Sequence, residues 1–127
     1  MDWQFHNDQP IYTQLVDQIK FAIVSGALAP GDRMAAVREL ALEAGVNPNT
    51  MQRALQQLER EGLVYAQRSS GRFVTEDLAV IEDAKAALAA EQIRRFSAAM
   101  HKLGYSMEES IRLLQSSGEE EKNGNLP

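Results

Sequence analysis

Residues 37 to 74 read VRELALEAGVNPNTMQRALQQLEREGLVYAQRSSGRFV, and this stretch decides the fold of the chain. Gly45 stands where a first helix must end, because glycine adopts the left-handed conformation that many helix C-termini require. Asn47 is the expected N-cap of a second helix, and Pro48 falls at its first position, where a missing N–H costs nothing. A gap of about four residues between two helices is typical of a helix-turn-helix.

The second helix is predicted over Pro48 to Glu61, with Gly62 ending it. Its apolar residues recur at helical spacing and form one buried stripe: Met51, Ala54, Leu55 and Leu58. Its opposite face is polar and carries Asn49, Arg53, Gln56 and Arg60, with Gln52 on the flank. Amides pair well with adenine and guanidinium with guanine, but any amphipathic helix has a polar face, so this face alone decides nothing.

A short β-hairpin is predicted next, with strands at residues 63–66 and 72–75 and a loop over residues 67–71. Gly71 supplies the positive φ that such loops need. Arg68 and Arg72 flank the tip, where they can reach phosphate or the minor groove. Helix, turn, helix and hairpin form the order of a winged helix-turn-helix, whose second helix enters the DNA major groove.

Residues 10 to 75 resemble the DNA-binding domain of the GntR family of bacterial transcription regulators. The matching segments are PIYTQLVDQIKFAIVSGALAPGDRM, VRELALEAGVNPNTMQRALQQLEREGLV and GRFV, in the family's order. The form VNPNT, the YTQL start and the short tail after the wing resemble its small YtrA-type subfamily. The resemblance implies a dimeric repressor of double-stranded operator DNA, often encoded beside ABC-transporter genes that it controls.

Two departures from the family pattern stand out. The family's Leu-Pro-Ser-like start of the first helix is Met34-Ala35-Ala36 here, so we expect a phosphate contact or a helix cap to be lost. The wing's Gly-x-Gly is Ser69-Ser70-Gly71 here, so we expect a stiffer or differently aimed tip.

The DNA-contacting residues follow from the resemblance and from the polar face together. Arg38 matches a family arginine that binds DNA, whereas Gln52 stands where long-tailed members often have arginine, which implies a different base preference. Backbone N–H groups at the start of the second helix favour phosphate. The candidates are Arg38, Asn47, Asn49, Thr50, Gln52, Arg53, Gln56, Arg68, Ser70, Gly71 and Arg72.

A further helix is predicted before the helix-turn-helix, over residues 10–25, with Gly26 ending it and Pro30-Gly31 forming a turn. Its inward residues are expected to be Ile11, Leu15, Ile19, Ala22 and Ile23.

A long helix is predicted after the wing, over Leu78 to Leu103, with Gly104 ending it. Ser106 and Glu109 have the spacing of a capping box for a last helix that reaches about Gln115. The long helix carries an apolar stripe: Ile81, Ala84, Leu88, Ile93, Phe96, Met100 and Leu103.

A stripe of this length cannot be covered by so small a domain, so we expect it to pair with a second copy about a two-fold axis. The alternative is that the helix folds back on its own winged domain. A homodimer with two recognition helices would bind an inverted-repeat operator.

The predicted fold class is mainly α with a small β-hairpin. A winged helix-turn-helix domain is expected over residues 10–76, a helical dimerisation region over residues 77–115, and a polar, disordered tail over residues 116–127.

Composition narrows the function classes. The 127 residues include no cysteine, no apolar run long enough for a membrane helix and no signal peptide, so a cytoplasmic protein is expected. The net charge is −5, and residues 1–77 hold seven Lys and Arg against ten Asp and Glu. Non-specific DNA affinity should therefore be weak, and specific binding should depend on the dimer and on base contacts.

Two other classes of function compete with DNA binding. Catalysis finds no support, because His6 and His101 have no ligand spacing around them and no phosphate loop or nucleophile motif is present; neither a metal nor a cofactor is expected. A winged-helix module that binds protein instead of DNA is favoured by the negative charge and disfavoured by the arginines. A small-molecule effector stays possible in a cleft between protomers, but no residue identifies it.

Overall fold

The computed structural model describes residues 1–122, which form five α-helices and one antiparallel hairpin. This mainly helical architecture with a small hairpin confirms the predicted fold class. Its elements are α1 Ile11–Val24, α2 Val37–Ala44, α3 Pro48–Arg60, β1 Val64–Gln67, β2 Gly71–Val74, α4 Leu78–Lys102 and α5 Met107–Lys122. The chain divides into two compact units, Met1–Ala86 and the part from Ala87 onward.

The turn between α2 and α3 forms as its residues predict. Gly45 caps α2 in the left-handed conformation, with φ of 70°. The Asn47 side chain accepts a hydrogen bond from the Asn49 N–H at 2.8 Å, and Pro48 occupies the first turn of α3. The predicted stripe of α3 is fully buried against α1 and α2 and consists of Met51, Ala54, Leu55 and Leu58.

The hairpin is the wing, and its register pairs Val64 with Val74 and Gln67 with Gly71. Gly71 has φ of 108°, as the sequence requires, and Ser69 has φ of 69°. Ser69 thus adopts the left-handed conformation at the position where the family usually has its first wing glycine. Residues 31–34 extend the sheet, because Met34 N–H donates to the Arg72 carbonyl at 2.8 Å.

The inward face of α1 differs at one position from the prediction. Leu15, Ile19, Ala22 and Ile23 are buried as expected, but Ile11 is exposed. Gln14 is buried instead, because the chain before α1 lies over it. The Gln14 amide accepts from the His6 N–H and donates to the His6 and Gln9 carbonyls at 2.8–2.9 Å.

The expected stripe on α4 divides between two environments. Ile81 is buried in the core of the winged domain and Ala84 packs against that core, so both already have partners within the single chain. Both lie in the first turns of α4, which are still within the first unit. Leu88 is half-buried, and Ile93, Phe96 and Leu103 are exposed in the single chain.

The last helix begins as predicted and ends later. Ser106 N–H donates to Glu109 Oε1 at 2.9 Å and Glu109 N–H donates to Ser106 Oγ at 3.1 Å, which confirms the capping box. The helix continues past the expected end near Gln115 to Lys122. Glu and Lys are good helix formers, and no proline interrupts them. The predicted disordered tail therefore overlaps helix over residues 116–122, and residues 123–127 lie outside the described part.

Candidate nucleic-acid interface

The exposed side of α3 is the centre of the candidate interface. The apolar stripe of α3 is buried against α1 and α2, so the polar face of α3 is turned toward solvent. Asn49, Arg53 and Gln56 are exposed, while Thr50 and Gln52 are half-buried beside them. The sequence-predicted polar residues therefore share one side of the recognition helix.

The helix starts around the turn hold two further candidates. Asn47 uses its side-chain oxygen to cap α3, which leaves its Nδ2 amide for a ligand. Arg38 is exposed in the first turn of α2, where it makes no ion pair with the described residues. Ala36 is the N-cap of that helix and offers no side-chain hydrogen bond, so the cap expected to be lost is indeed missing.

Arg53 does not project freely from α3. Its guanidinium carbon lies 4.8 Å from the centre of the Tyr12 ring on α1. A cation over an aromatic face is attracted to the ring's π electrons, so the arginine is held toward α1. Tyr12 was not among the residues predicted from the sequence. It lies far from Arg53 in the chain, and no sequence motif indicates that the two side chains meet.

Behind Arg53, a chain of polar side chains joins α3 to α1. Gln57 Oε1 accepts from Tyr12 at 3.3 Å and from Arg60 Nη2 at 2.6 Å, and Gln57 Nε2 donates to Glu61 at 3.0 Å. Glu61 pairs with Lys20 on α1 at 2.7 Å. Burial raises the pKa of Glu61, but the hydrogen bonds from Lys20 and Gln57 outweigh it and hold that pKa below its ordinary value.

The wing presents its arginines unequally. Arg68 and Ser70 are exposed at the tip, as predicted. Arg72 is half-buried, and its Nε lies 2.5 Å from a carboxylate oxygen of Glu59 on α3. Arg72 must leave or share this ion pair before it can reach a phosphate, so it is the less available of the two.

Arg33 is a second residue that the sequence-based candidates omitted. It is exposed, and its strand-like backbone pairs with Phe73. Its side chain crosses Gly71 so closely that a Cβ at Gly71 would lie 3.2 Å from Arg33 Nε. The glycine at this position therefore provides the positive φ, and a Cβ there would require the Arg33 side chain to shift slightly.

Although the chain has a net charge of −5, only some of the cations in the winged domain are paired with carboxylates. Within the described part of the winged domain, Glu61 pairs with Lys20 and Glu59 with Arg72. Five exposed arginines on or beside α2, α3 and the wing take no part in any ion pair found among residues 1–122: Arg33, Arg38, Arg53, Arg60 and Arg68.

The described residues, 1–122, lack the features of two other kinds of site. No helix there has the length and apolarity to cross a membrane. In the same part of the chain, no three His, Cys, Asp or Glu side chains come together in a way that could hold a metal ion.

A helix-turn-helix with a wing and a polar recognition face defines the class as a winged helix-turn-helix DNA-binding protein. Residues 11–74 match the family described as "Bacterial regulatory proteins, gntR family". The chain belongs to the GntR family, and its resemblance to the YtrA-type subfamily is confirmed by the relatives that follow.

Two of the relatives come from Bacillus subtilis (strain 168). The chain is 40% identical over 111 residues to the uncharacterised regulator YhcF, covering 87% of this chain and 92% of that protein. It is 34% identical over 100 residues to the transcriptional repressor YtrA, covering 78% of this chain and 77% of that one. Both similarities extend beyond the winged domain, so they include part of the helical region.

Solved structures agree with this assignment. A GntR family regulator from Listeria monocytogenes is 38% identical, with a TM-score of 0.80 over 88% of this chain and 98% of that one. The DNA-binding domain of AraR in complex with operator ORX1 is 26% identical, with a TM-score of 0.54 over 59% of this chain and 96% of that one. The protein is accordingly a transcriptional regulator of a DNA-binding family.

Proposed function

We propose that this protein is a dimeric repressor that binds an inverted-repeat operator, with α3 in the major groove and the wing on the flanking backbone. The proposal rests on one observation: five exposed arginines on or beside the helix-turn-helix and the wing have no carboxylate partner among the described residues. A protein-binding module would have no need to keep these cations unpaired in an otherwise acidic chain.

The contacts divide into two kinds. The α3 side chains Asn49, Gln52, Arg53 and Gln56 are proposed to contact base edges, as amides and guanidinium groups do. The remaining candidates lie at helix starts or on the wing and are proposed to contact phosphate: Arg38, Asn47, Thr50, Arg68, Ser70, Gly71 and Arg72. Arg33 joins the second group because it lies beside Gly71 on the wing.

The dimer is proposed from the second unit, which has too little apolar interior to be stable alone. Among residues 87–118, Ser110 is the one buried side chain, and it is polar. Meanwhile many large apolar side chains there are exposed: Ile93, Phe96, Leu103, Tyr105, Met107, Ile111, Leu113 and Leu114. Apolar area of this extent on a small unit is typical of a protein interface.

A second copy of the same helices is the occupant that we propose for this surface. The interface is centred on α4, on the residues of the predicted stripe that stay outside the winged-domain core: Leu88, Ile93, Phe96, Met100 and Leu103. The winged domain is proposed over residues 10–76, but its core extends to Ile81 and Ala84 on α4. The dimerisation region then begins near Leu88 rather than at residue 77.

Repression is supported by YtrA, the similar Bacillus protein that is named a repressor. Control of an adjacent ABC-transporter operon rests on the YtrA-type resemblance alone.

The test is binding to the DNA upstream of the protein's own gene, measured by gel shift over a range of salt concentrations. Arg38→Ala and Arg68→Ala should each weaken binding and lower the salt slope by about one, as loss of one phosphate contact does. Lys102→Ala, a cation at the far end of α4, is the matched control and should change neither. Equal affinity for this DNA and for random DNA would favour the protein-interaction module instead.

A further inference from the structure

Tyr12 occupies a special place beside the recognition helix. It lies in the first turn of α1, is half-buried against the core, and has its ring face under the Arg53 guanidinium at 4.8 Å. Its hydroxyl is held at the other end by Gln57 Oε1, which also accepts from Arg60. The ring is thus fixed by packing on one side and by a hydrogen bond at its tip.

Arg53 gains orientation from this ring. An exposed arginine samples many rotamers, and holding one of them costs free energy when a ligand binds. A ring that already holds the guanidinium lowers this cost before DNA arrives. The same stack limits the directions in which the guanidinium N–H groups can point, and a bidentate contact with a base depends on those directions.

We propose that Tyr12 is a positioning residue, which holds Arg53 in the orientation that α3 presents to DNA and thereby sets the base preference at the contact of Arg53. The inference rests on the proposed function, since it takes Arg53 as a DNA contact. Tyr12 itself acts through Arg53, with its hydroxyl directed at Gln57 and not at the DNA.

The test uses the full chain and the duplex DNA that the wild-type protein enriches from a random pool. Tyr12→Leu removes the π face and should weaken binding about two- to tenfold, whereas Tyr12→Phe keeps the face and should bind like wild type. Tyr12→Leu should also flatten the preference at one position of each half-site. Thermal unfolding of each variant shows whether the fold is intact.

A double-mutant cycle separates positioning from a general structural effect. In the Arg53→Ala background, Tyr12→Leu should cause no further loss of affinity. The Arg38→Ala background is the matched control, and there Tyr12→Leu should weaken DNA binding as much as it does in the wild-type protein. If Tyr12→Leu fails to fold, the side-chain Nε–Hε resonance of Arg53 in the wild-type protein still decides, because stacking on the ring must shift it upfield.

Other outcomes of these experiments would overturn either the positioning role of Tyr12 or the proposed DNA-binding function. Additive effects of Tyr12→Leu and Arg53→Ala, or the absence of the upfield shift, would overturn the inference alone. Equal losses in Tyr12→Phe and Tyr12→Leu would show that the effect comes from the hydroxyl and not from the ring face, and would also overturn it. Unchanged binding by Arg53→Ala would remove Arg53 from the interface, and failure to enrich any sequence would overturn the proposed function itself.

Discussion

Asn47 caps α3 and is also a proposed DNA contact, and two substitutions separate the two roles. Asn47→Ala loses the cap on the Asn49 N–H and should lower the free energy of unfolding by about 1 kcal/mol. Asn47→Asp keeps the cap and places a negative charge at the positive end of the helix, so stability should be retained. The same carboxylate would face phosphate, so DNA binding should fall.

Urea unfolding and DNA titration of the two Asn47 variants measure both quantities. Loss of as much stability in Asn47→Asp as in Asn47→Ala would contradict the capping role. Full DNA affinity in Asn47→Asp would place this residue outside the interface.

Gly71 is the wing residue most sensitive to substitution. Gly71→Ala meets both the strain of a φ of 108° and the Arg33 side chain at 3.2 Å. Strain of this kind costs about 1–3 kcal/mol, and here it should distort the wing and weaken DNA binding. Gly26→Ala, at φ of 86° in open space, is the control and should cost stability without changing DNA affinity.

Thermal unfolding and DNA titration on both glycine variants provide the comparison. If Gly71→Ala bound DNA with wild-type affinity, DNA binding would not depend on the backbone of Gly71 or on its close approach to Arg33.

At the scale of single residues, the sequence predicts what local chemistry determines. Gly45, Asn47 and Pro48 each act within their own turn, so their roles were predictable. The contacts of Arg53 with Tyr12 and of Arg33 with Gly71 are between residues that are far apart in the chain. They depend on how the helices and the wing pack, which no local sequence pattern indicates.

The ion pair of Lys20 with Glu61 fastens the C-terminal end of α3 to α1. The pKa of Glu61 is lowered from 4.5, so its stabilising effect is fully present above pH 4.5 and is lost as pH falls through the lower folded-state value. Glu61→Gln should therefore destabilise the protein by at most about 1 kcal/mol near neutral pH, because the pair is partly exposed.

Urea unfolding of wild type and Glu61→Gln at neutral and acidic pH checks this prediction. The two stabilities should converge on acidification. A gap that widens as pH falls would give the linkage the opposite sign and refute it.

Elements were predicted well wherever turn residues bound them, and less well elsewhere. The hairpin and the first four helices begin and end close to glycine, proline or a capping side chain, except that α2 begins after Ala36 without a cap. Three features escaped: residues 31–34 pair with the wing, the chain before α1 is held by Gln14, and α5 continues to Lys122. The pairing of residues 31–34 and the contacts of Gln14 are long-range, so no local pattern predicts them. The end of α5 is polar, and such a sequence is compatible with both helix and disorder.

At the scale of the whole molecule, the proposed dimer depends on the apolar side chains of α4 that lie outside the winged-domain core. Burial of a large apolar side chain contributes ~1.5–3 kcal/mol, and a two-fold interface counts each residue twice. Leu88→Asp or Phe96→Asp should therefore give monomers that lose operator binding, while the winged domain stays folded. Ala87→Asp introduces the same charge at an exposed position on the side of α4 opposite to Phe96 and should leave a dimer.

Light scattering for mass and circular dichroism for folding, on the same samples, measure these effects. A Phe96→Asp protein that remains dimeric would remove this residue from the interface. A wild-type monomer that binds DNA specifically would remove the need for a dimer.

The central claim is that two copies of α3 recognise two halves of one operator, and selection from random duplex DNA tests it most directly. The wild-type protein should enrich an inverted repeat whose half-site centres lie about 10 base pairs, or a multiple of this, apart. Arg53→Ala should lose the base preference at the same position in both halves. Enrichment of a single half-site, of a direct repeat or of no sequence would contradict the claim.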